Sequence, residues 1–230
     1  MNLDKNNIRF LGLAYLVQFV GSLLSDPLFG FASGTGTMSE KLVSISNNLI
    51  LMRLSILAEL ITSLGIIVMT IILYIVLQSQ SKIFSLLALS LWLIEAILLI
   101  ISSIAGYSLI PLALEYIQAG TPVPSYMLTL GSLILEMKDF AASMHMMFFA
   151  IGGIIWYYLF YQSRYIPRAL SLWGLVLISI MPIDVLLVIF GFGLDSIWRM
   201  AILFPLIAYL PFEGVMGFWF IFKGIASDQQ

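Results

Sequence analysis

Long stretches without a charged side chain constrain the fold of this chain more than any other feature. Residues 60–81 and residues 140–163 contain no Asp, Glu, Lys or Arg, and most of their side chains are apolar. About 20 apolar helical residues cross a hydrocarbon layer about 30 Å thick. Charged residues make up only 10% of the chain, against about 25% in soluble domains. The sequence therefore predicts a polytopic membrane protein.

Six segments are long and apolar enough to predict an all-α bundle, which forms a single domain over residues 1–230. Residues 126–162 are too long for one straight span, so a short helix or surface-lying segment at YMLTLGSLIL is predicted before the fourth span. Asp26 and Pro27 predict a turn after the first span, and Pro111 predicts a non-helical connection after the third. The six predicted spans lie at 8–24, 48–78, 83–109, in the later part of 126–162, at 169–190 and at 197–222.

The distribution of basic residues predicts the orientation of the bundle in the cell membrane. With six spans, both termini lie on one side, and the positive-inside rule assigns the more basic side to the cytoplasm. The side that holds the termini collects Lys5, Arg9, Lys82, Arg164, Arg168 and Lys223. Arg164 and Arg168 are predicted to be headgroup anchors at the cytoplasmic surface, where they would contact lipid phosphate. The opposite side has Lys41, Arg53, Lys138 and Arg199.

The segment LFYQSRYIPRALSLWGLVL, residues 159–177, carries a family resemblance. It is similar to the signature of prokaryotic multi-pass membrane proteins known as domain of unknown function 4386, in which an SxxIPR turn is followed by an LxxWG run. The matching residues are Ser163, Ile166, Pro167, Arg168, Leu170, Trp173 and Gly174. The resemblance implies a membrane fold and location, and it implies no activity. It also extends to His145, and to Arg53 followed by Glu59 in the second span.

The stretch EMKDFAASMH, residues 136–145, holds three charged side chains and the only histidine. Counted from Arg164, His145 lies about 28 Å along the helix, near the outer edge of the hydrocarbon. Glu136 and Asp139 share one helical face, whereas Lys138 and His145 share another. This stretch is therefore predicted to be an amphipathic helix end at the outer interface, with His145 as a residue at the rim of a membrane site.

Single ionisable residues inside the apolar segments are the better candidates for function. A lone carboxylate in lipid must find a partner, water or a proton, and the default interpretation of such a residue is functional. Glu95 and Glu213 are predicted to lie deep, about 20 Å from Lys82 and about 15 Å from Lys223. The predicted ligand or proton site consists of Glu59, Glu95, His145, Asp184 and Glu213, with Arg53 and Arg199 as counter-ions. The structural alternative is that these groups only pin helices together.

The composition excludes several kinds of chemistry. One histidine and no cysteine exclude His-rich or Cys-based zinc sites and bis-histidine haem. No cofactor and no metal are predicted, although a weak alternative is a hard-cation site at Glu59, Asp139 and Asp184. The scattered basic residues exclude a nucleic-acid surface. The predicted partners are the lipid bilayer, a small-molecule or lipid ligand, and further copies or subunits of a membrane complex.

Three hypotheses for function remain open. The leading one is an outward-facing polar cavity that binds, senses or moves a small solute, a lipid or a proton. In it, Glu95 and Asp184 are the buried protonatable groups, and Glu59 and His145 line the mouth. The second is an intramembrane enzyme that uses Asp184 and His145 as an acid–base pair. The third is a structural or assembly subunit whose carboxyls pair internally.

Overall fold

The structure is a computed structural model that describes residues 5–120, 124–190 and 196–226, apart from the side chains of residues 184, 188 and 196–206. Its described part is helical and contains no strand, which confirms the predicted all-α class. The helices in chain order are α1 (Lys5–Ser33), α2 (Met38–Asn47), α3 (Leu49–Leu77), α4 (Lys82–Gln118), α5 (Ser125–Ser163), α6 (Arg168–Ile178), α7 (Met181–Ile189) and α8 (Ser196–Phe222).

Five of the described segments are long and apolar enough to cross a membrane. They are α1, α3, α4, α5 and the segment that joins α6 to α7, Arg168–Leu187. Within α8, the apolar stretch Ile207–Phe222 is shorter. The described helices therefore give five spans by length and composition, together with one shorter apolar helix at the place of the predicted sixth span.

The long helices form a ring. Helix α1 packs on α3, α3 on α4, α4 on α5, and α5 on α6 and α7, while α8 packs on α6 and closes the ring on α1. At this closure, a Cβ on Gly12 would lie 2.6 Å from the carbonyl oxygen of Gly217. Between α4 and α5, a Cβ on Gly152 would lie 2.4 Å from a Trp92 ring carbon. Only glycine allows such close approach of helices.

The buried apolar side chains form two separate cores along the helices. The larger, which we call the inner core, lies towards the ends that carry Lys82 and Arg164, and its largest members include Tyr15, Trp92, Trp156 and Phe212. The smaller, the outer core, joins the far ends of α1, α4 and α5 to α2 and the start of α3. It contains Ala32, Leu42, Ile45, Met52, Leu109, Ile110, Leu112, Ala113 and Met127.

The outer core explains three differences from the sequence prediction. Helix α1 continues through Pro27, α4 continues through Pro111, and α5 is one helix over the region predicted to break near YMLTLGSLIL. A proline in a helix removes one hydrogen bond, but burial of Leu112 and Met127 in the outer core holds these helix ends in place. The predicted turn and connection are therefore wrong, as is the separate short segment before the fourth span.

The loop predicted between the first two spans contains helix α2. Thr37 caps it: its hydroxyl accepts from the Glu40 backbone N–H, and the Glu40 carboxylate accepts from the Thr37 backbone N–H at 2.7 Å. This reciprocal arrangement is a capping box.

A further difference from the sequence prediction lies in the predicted fifth span, which is divided into α6 and α7. The break precedes Pro182, whose ring would clash with the carbonyl of Ile178 in a continuous helix.

The SRYIPR turn reverses the chain between α5 and α6. Arg164 ends α5 in the left-handed conformation with φ of 57°, and the Ser163 hydroxyl accepts from the Tyr165 backbone N–H at 3.3 Å. Ile166 is buried, and Pro167 is positioned directly before α6. Arg164 and Arg168 are exposed, and the Arg168 guanidinium lies 5.1 Å from the Tyr161 ring centroid. Their contact with lipid headgroups stays a prediction.

Candidate functional site

Two carboxyls from opposite sides of the ring are buried in its interior. Glu95 lies on α4 and is 3% exposed, and Glu213 lies on α8 and is 7% exposed. Helices α4 and α8 are not neighbours in the ring, but ring contacts link them. Trp92, one turn before Glu95, stacks on Phe149, which meets Tyr209, one turn before Glu213. Sequence reasoning predicted both residues to be deep, and the structure places both in the interior.

Tyrosines and one glutamine surround these carboxyls. The Tyr157 and Tyr209 hydroxyls are 2.6 Å apart and hydrogen-bonded, and Tyr209 lies one turn before Glu213 on α8. Tyr15 is fully buried, and its hydroxyl is close to that of Tyr157. The Gln18 amide group is close to the Glu213 carboxyl. We call this set the inner polar cluster, and its members are Tyr15, Gln18, Glu95, Tyr157, Tyr209 and Glu213.

Three polar atoms of the inner polar cluster are buried without a hydrogen-bond partner among the described residues. They are the Tyr15 hydroxyl oxygen, the Gln18 Nε2 and the Glu95 Oε2. Gln18 is close to Glu213 and the Tyr15 hydroxyl is close to Tyr157, but neither pair reaches hydrogen-bond geometry. Buried polar groups in proteins are hydrogen-bonded in the great majority, so each exception requires an explanation. Three exceptions in one cluster indicate a place for water, a proton or a ligand.

Aromatic rings enclose the inner polar cluster on the α4 and α5 side. The Trp92 ring stacks on Phe149 at 6.0 Å between centroids and meets Trp156 edge-on at 6.1 Å. Phe149 in turn meets Tyr209 edge-on at 5.4 Å. The indole N–H of Trp92 donates to the Phe149 carbonyl oxygen at 3.0 Å. The cluster is therefore a polar interior with rigid aromatic walls, which is typical of small-molecule sites.

Glu59 belongs to a different environment. It lies on α3, is 7% exposed, and its Oε2 accepts a hydrogen bond from the Ser103 hydroxyl of α4 at 2.9 Å. The Ser63 hydroxyl donates to the Glu59 backbone carbonyl at 2.9 Å. This carboxyl therefore links two adjacent helices. It is buried like Glu95, but it has the partner that Glu95 lacks.

The EMKDFAASMH stretch is divided between the surface and the interior. Glu136 and Asp139 are exposed, whereas Lys138 is 6% exposed and its ammonium lies 4.3 Å from the Phe29 ring centroid. His145 is half-buried, and its Nδ1 has no hydrogen-bond partner among the described residues. Lys138 is buried because it packs on Phe29 of α1, and its position at the outer interface stays a prediction.

The predicted counter-ions are not seen beside the carboxyls. Arg53 is exposed on α3 and makes no ion pair with any described residue. Arg199 lies in α8 and Asp184 in α7, but their side chains fall outside the described part of the structure. The counter-ion roles therefore stay predictions, and so does the acid–base pair of Asp184 and His145.

Sequence reasoning missed four members of the inner polar cluster, namely Tyr15, Gln18, Tyr157 and Tyr209. Gln18 carried a usable signal, because it is a lone amide inside an apolar segment. The tyrosines carried none, since Tyr157 belongs to an aromatic run that is typical of a membrane interface. No group of three or more His, Asp or Glu side chains within the described ranges could hold a metal ion.

A closed ring of apolar helices around buried carboxyls and tyrosines defines an all-helical integral membrane protein with a polar interior. Residues 10–224 match the family model described as "Domain of unknown function (DUF4386)", and the chain belongs to this family. This confirms the resemblance seen in the SRYIPR segment. Neither a curated protein nor a solved structure matches the chain. The family description assigns no activity, so function must be argued from the site.

Proposed function

We propose that the inner polar cluster binds a small solute or a proton inside the membrane, in a protein that senses or transports it. The observation that carries this proposal is the Glu95 carboxyl, which is buried and has an oxygen without a hydrogen-bond partner. Ionisable groups inside a membrane are costly, and they mark ligand or proton pathways. A carboxyl in this position is suited to take up a proton or to bind a ligand group.

The contrast with Glu59 supports a role beyond packing. A carboxyl that only joins helices would be expected to have its hydrogen bonds satisfied by neighbouring side chains, as that of Glu59 is by Ser103. Glu95 instead shares the interior of the ring with a second buried carboxyl, Glu213. Two carboxyls close together in a low-dielectric interior cannot both stay ionised without further partners.

The proposed route to the cluster opens on the outer side, as the leading hypothesis from the sequence has it. His145 lies on α5 between Lys138 and Phe149. Lys138 packs beside Gly106 of α4, and Phe149 packs on Trp92 of the same helix, nearer the cluster. Its half-buried ring and unpartnered Nδ1 suit a residue that lines such a route. Orphaned polar atoms of this kind are often bridged by water.

Infrared difference spectroscopy on proteoliposomes tests the proposal. A change of bulk pH across the neutral range should alter the C=O stretching band of a protonated carboxyl in the wild-type protein. Glu95→Gln and Glu213→Gln should each remove or shift this band, because each deletes one member of the pair. Glu59→Gln is the matched control, since it changes a buried carboxyl outside the cluster.

The two classes of outcome are distinct. A pH-responsive band that depends on Glu95 and Glu213 supports a site that communicates with bulk solvent. A spectrum that does not respond to pH, or one that the cluster variants leave unchanged, would show that the carboxyls are sealed packing elements. The proposal would then be abandoned in favour of a structural or assembly subunit.

A further inference from the structure

We infer that the ligand of the inner polar cluster is an organic cation, with an ammonium group held by the two carboxyls and an apolar body held by the aromatic walls. This inference rests on the proposed function, because it names the class of solute for the same site. Three features of the cluster support it: its charge, its polar atoms without hydrogen-bond partners, and the aromatic side chains beside it.

The charge of the cluster favours a cation. Its ionisable groups are the carboxyls of Glu95 and Glu213 and three phenols, so every charge it can acquire is negative. Lys138, the one buried lysine among the described residues, packs on Phe29 and beside Gly106. Gly106 lies about 16 Å along α4 from Glu95. An anionic ligand would be repelled by any ionised carboxyl here. A cation would supply the missing counter-charge.

The free hydrogen-bond atoms support the same ligand class. The Glu95 Oε2 can only accept while it is ionised, and it has no donor among the described residues. The Tyr15 hydroxyl is also unpartnered and can either accept from an ammonium or donate to a carboxylate. A neutral apolar solute would leave both atoms unsatisfied, at a cost of about 1–3 kcal/mol for each buried polar group.

The walls distinguish an organic cation from a metal ion. Trp92 and Phe149 stack on each other beside the cluster, and Tyr209 meets Phe149 edge-on. Aromatic faces attract ammonium groups, and aromatic cages bind quaternary ammonium. Divalent cations instead require several oxygen ligands in one shell, and no such group of acidic side chains is present within the described residues. The cluster therefore suits a cation that carries its own apolar surface.

The test uses three probes of similar shape: one is positively charged, one is neutral and one is negatively charged. Choline is the cation, 3,3-dimethylbutan-1-ol is its neutral carbon isostere, and 3,3-dimethylbutanoate is a related anion. Binding of each to the full-length protein in nanodiscs is measured by equilibrium dialysis, with empty nanodiscs as the blank. Choline should bind about tenfold or more tightly than the alcohol, because only choline has a positive charge that an ionised carboxylate and aromatic rings attract. The anion should bind weakest.

Variants tie the preference to the cluster. Glu95→Gln and Glu213→Gln should each weaken choline binding by about tenfold, while they change binding of the alcohol little. Glu59→Gln and Glu115→Gln are the matched controls and should behave as wild type, since the first is buried elsewhere and the second is exposed on α4. Tyr15→Phe, which removes one hydroxyl, serves if the carboxyl variants fail to fold, and it should weaken choline binding by a smaller factor.

Each remaining outcome overturns the cation inference. It fails if the alcohol or the anion binds as tightly as choline, if Glu59→Gln weakens choline binding as much as Glu95→Gln does, or if none of the probes binds. In these cases a pH-responsive carboxyl band that depends on Glu95 would still support the proposed function. Loss of that band together with absence of probe binding would remove both.

Discussion

Glu59 and Glu95 are both buried carboxyls on adjacent helices, yet their surroundings differ. Glu59 accepts a hydrogen bond from Ser103 and joins α3 to α4. Glu95 has an unpartnered oxygen and shares the interior of the ring with Glu213. Burial alone therefore does not distinguish a carboxyl that joins helices from one proposed to bind a ligand or a proton. The separating property is whether neighbouring side chains satisfy the group, because an unsatisfied group costs stability that packing alone would not retain.

Replacing each carboxyl by methionine should give the largest contrast, with opposite signs. Glu59→Met leaves the Ser103 hydroxyl without its acceptor and should lower the free energy of unfolding by about 1–3 kcal/mol. Glu95→Met removes a carboxyl that lacks a partner and should raise the free energy of unfolding by about 1 kcal/mol or more. Reversible unfolding in bicelles measures both. Equal losses in the two variants would contradict the distinction drawn here.

Two adjacent serines on α4 offer a sharper and smaller test. Ser102 and Ser103 are both buried, but only Ser103 donates to Glu59, and the Ser102 hydroxyl has no partner among the described residues. Ser103→Ala should lower the free energy of unfolding by about 0.6–1.7 kcal/mol, the range measured for hydrogen bonds between membrane helices. Ser102→Ala should be neutral or slightly stabilising. Similar losses from both would show that the hydrogen bond with Glu59 contributes nothing specific.

The tyrosines of the inner polar cluster should differ in the same way. Tyr209→Phe leaves the Tyr157 hydroxyl without its 2.6 Å partner and should cost about 0.5–1.5 kcal/mol in the same unfolding assay. Tyr15→Phe removes a hydroxyl that has no partner, so stability should change little. A large loss of stability in Tyr15→Phe would show that this hydroxyl is bonded within the folded protein.

The smallest expected effect lies outside the membrane, at the start of α2. The Thr37 backbone N–H and hydroxyl hold the pKa of the exposed Glu40 carboxyl below its ordinary value. A carboxyl whose pKa is lower in the folded than in the unfolded protein stabilises the folded state at pH values above the unfolded pKa. That unfolded pKa is about 4.3 for glutamate. That contribution is lost as the pH falls through the lower folded value. The protection factors of the α2 amides in hydrogen exchange, which correct for the intrinsic pH dependence of the rate, should therefore fall under acid in wild type. The fall should be smaller in Glu40→Gln.

The positions of helices could be predicted from the sequence wherever a long apolar stretch determines them. The predicted span 48–78 corresponds to α3, and 197–222 corresponds to α8, because long apolar stretches have few alternatives in lipid. The predictions at Pro27 and Pro111 failed because contacts distant in sequence hold those helix ends together. The signal for α2 was present, since TMSE at residues 37–40 is a capping-box pattern.

The candidate site could be predicted only in part. Glu95 and Glu213 were identifiable because a charged side chain in an apolar segment is conspicuous without any structure. Their meeting across the ring could not be predicted, because it depends on α8 closing against α1 and not on any local pattern. Tyr157 and Tyr209 were missed for the same reason. Their hydroxyls become a pair only when α5 and α8 carry them into one interior.

The aromatic walls give the protein an optical reporter of its own interior. The chain has five tryptophans, and Trp92 and Trp156, both fully buried, are in edge-to-face contact beside the inner polar cluster. Indole emission shifts to longer wavelength when water approaches the ring. Any opening that hydrates the cluster should therefore appear as a red shift in intrinsic fluorescence, so that hydration of the cluster can be followed in unlabelled protein and in real time.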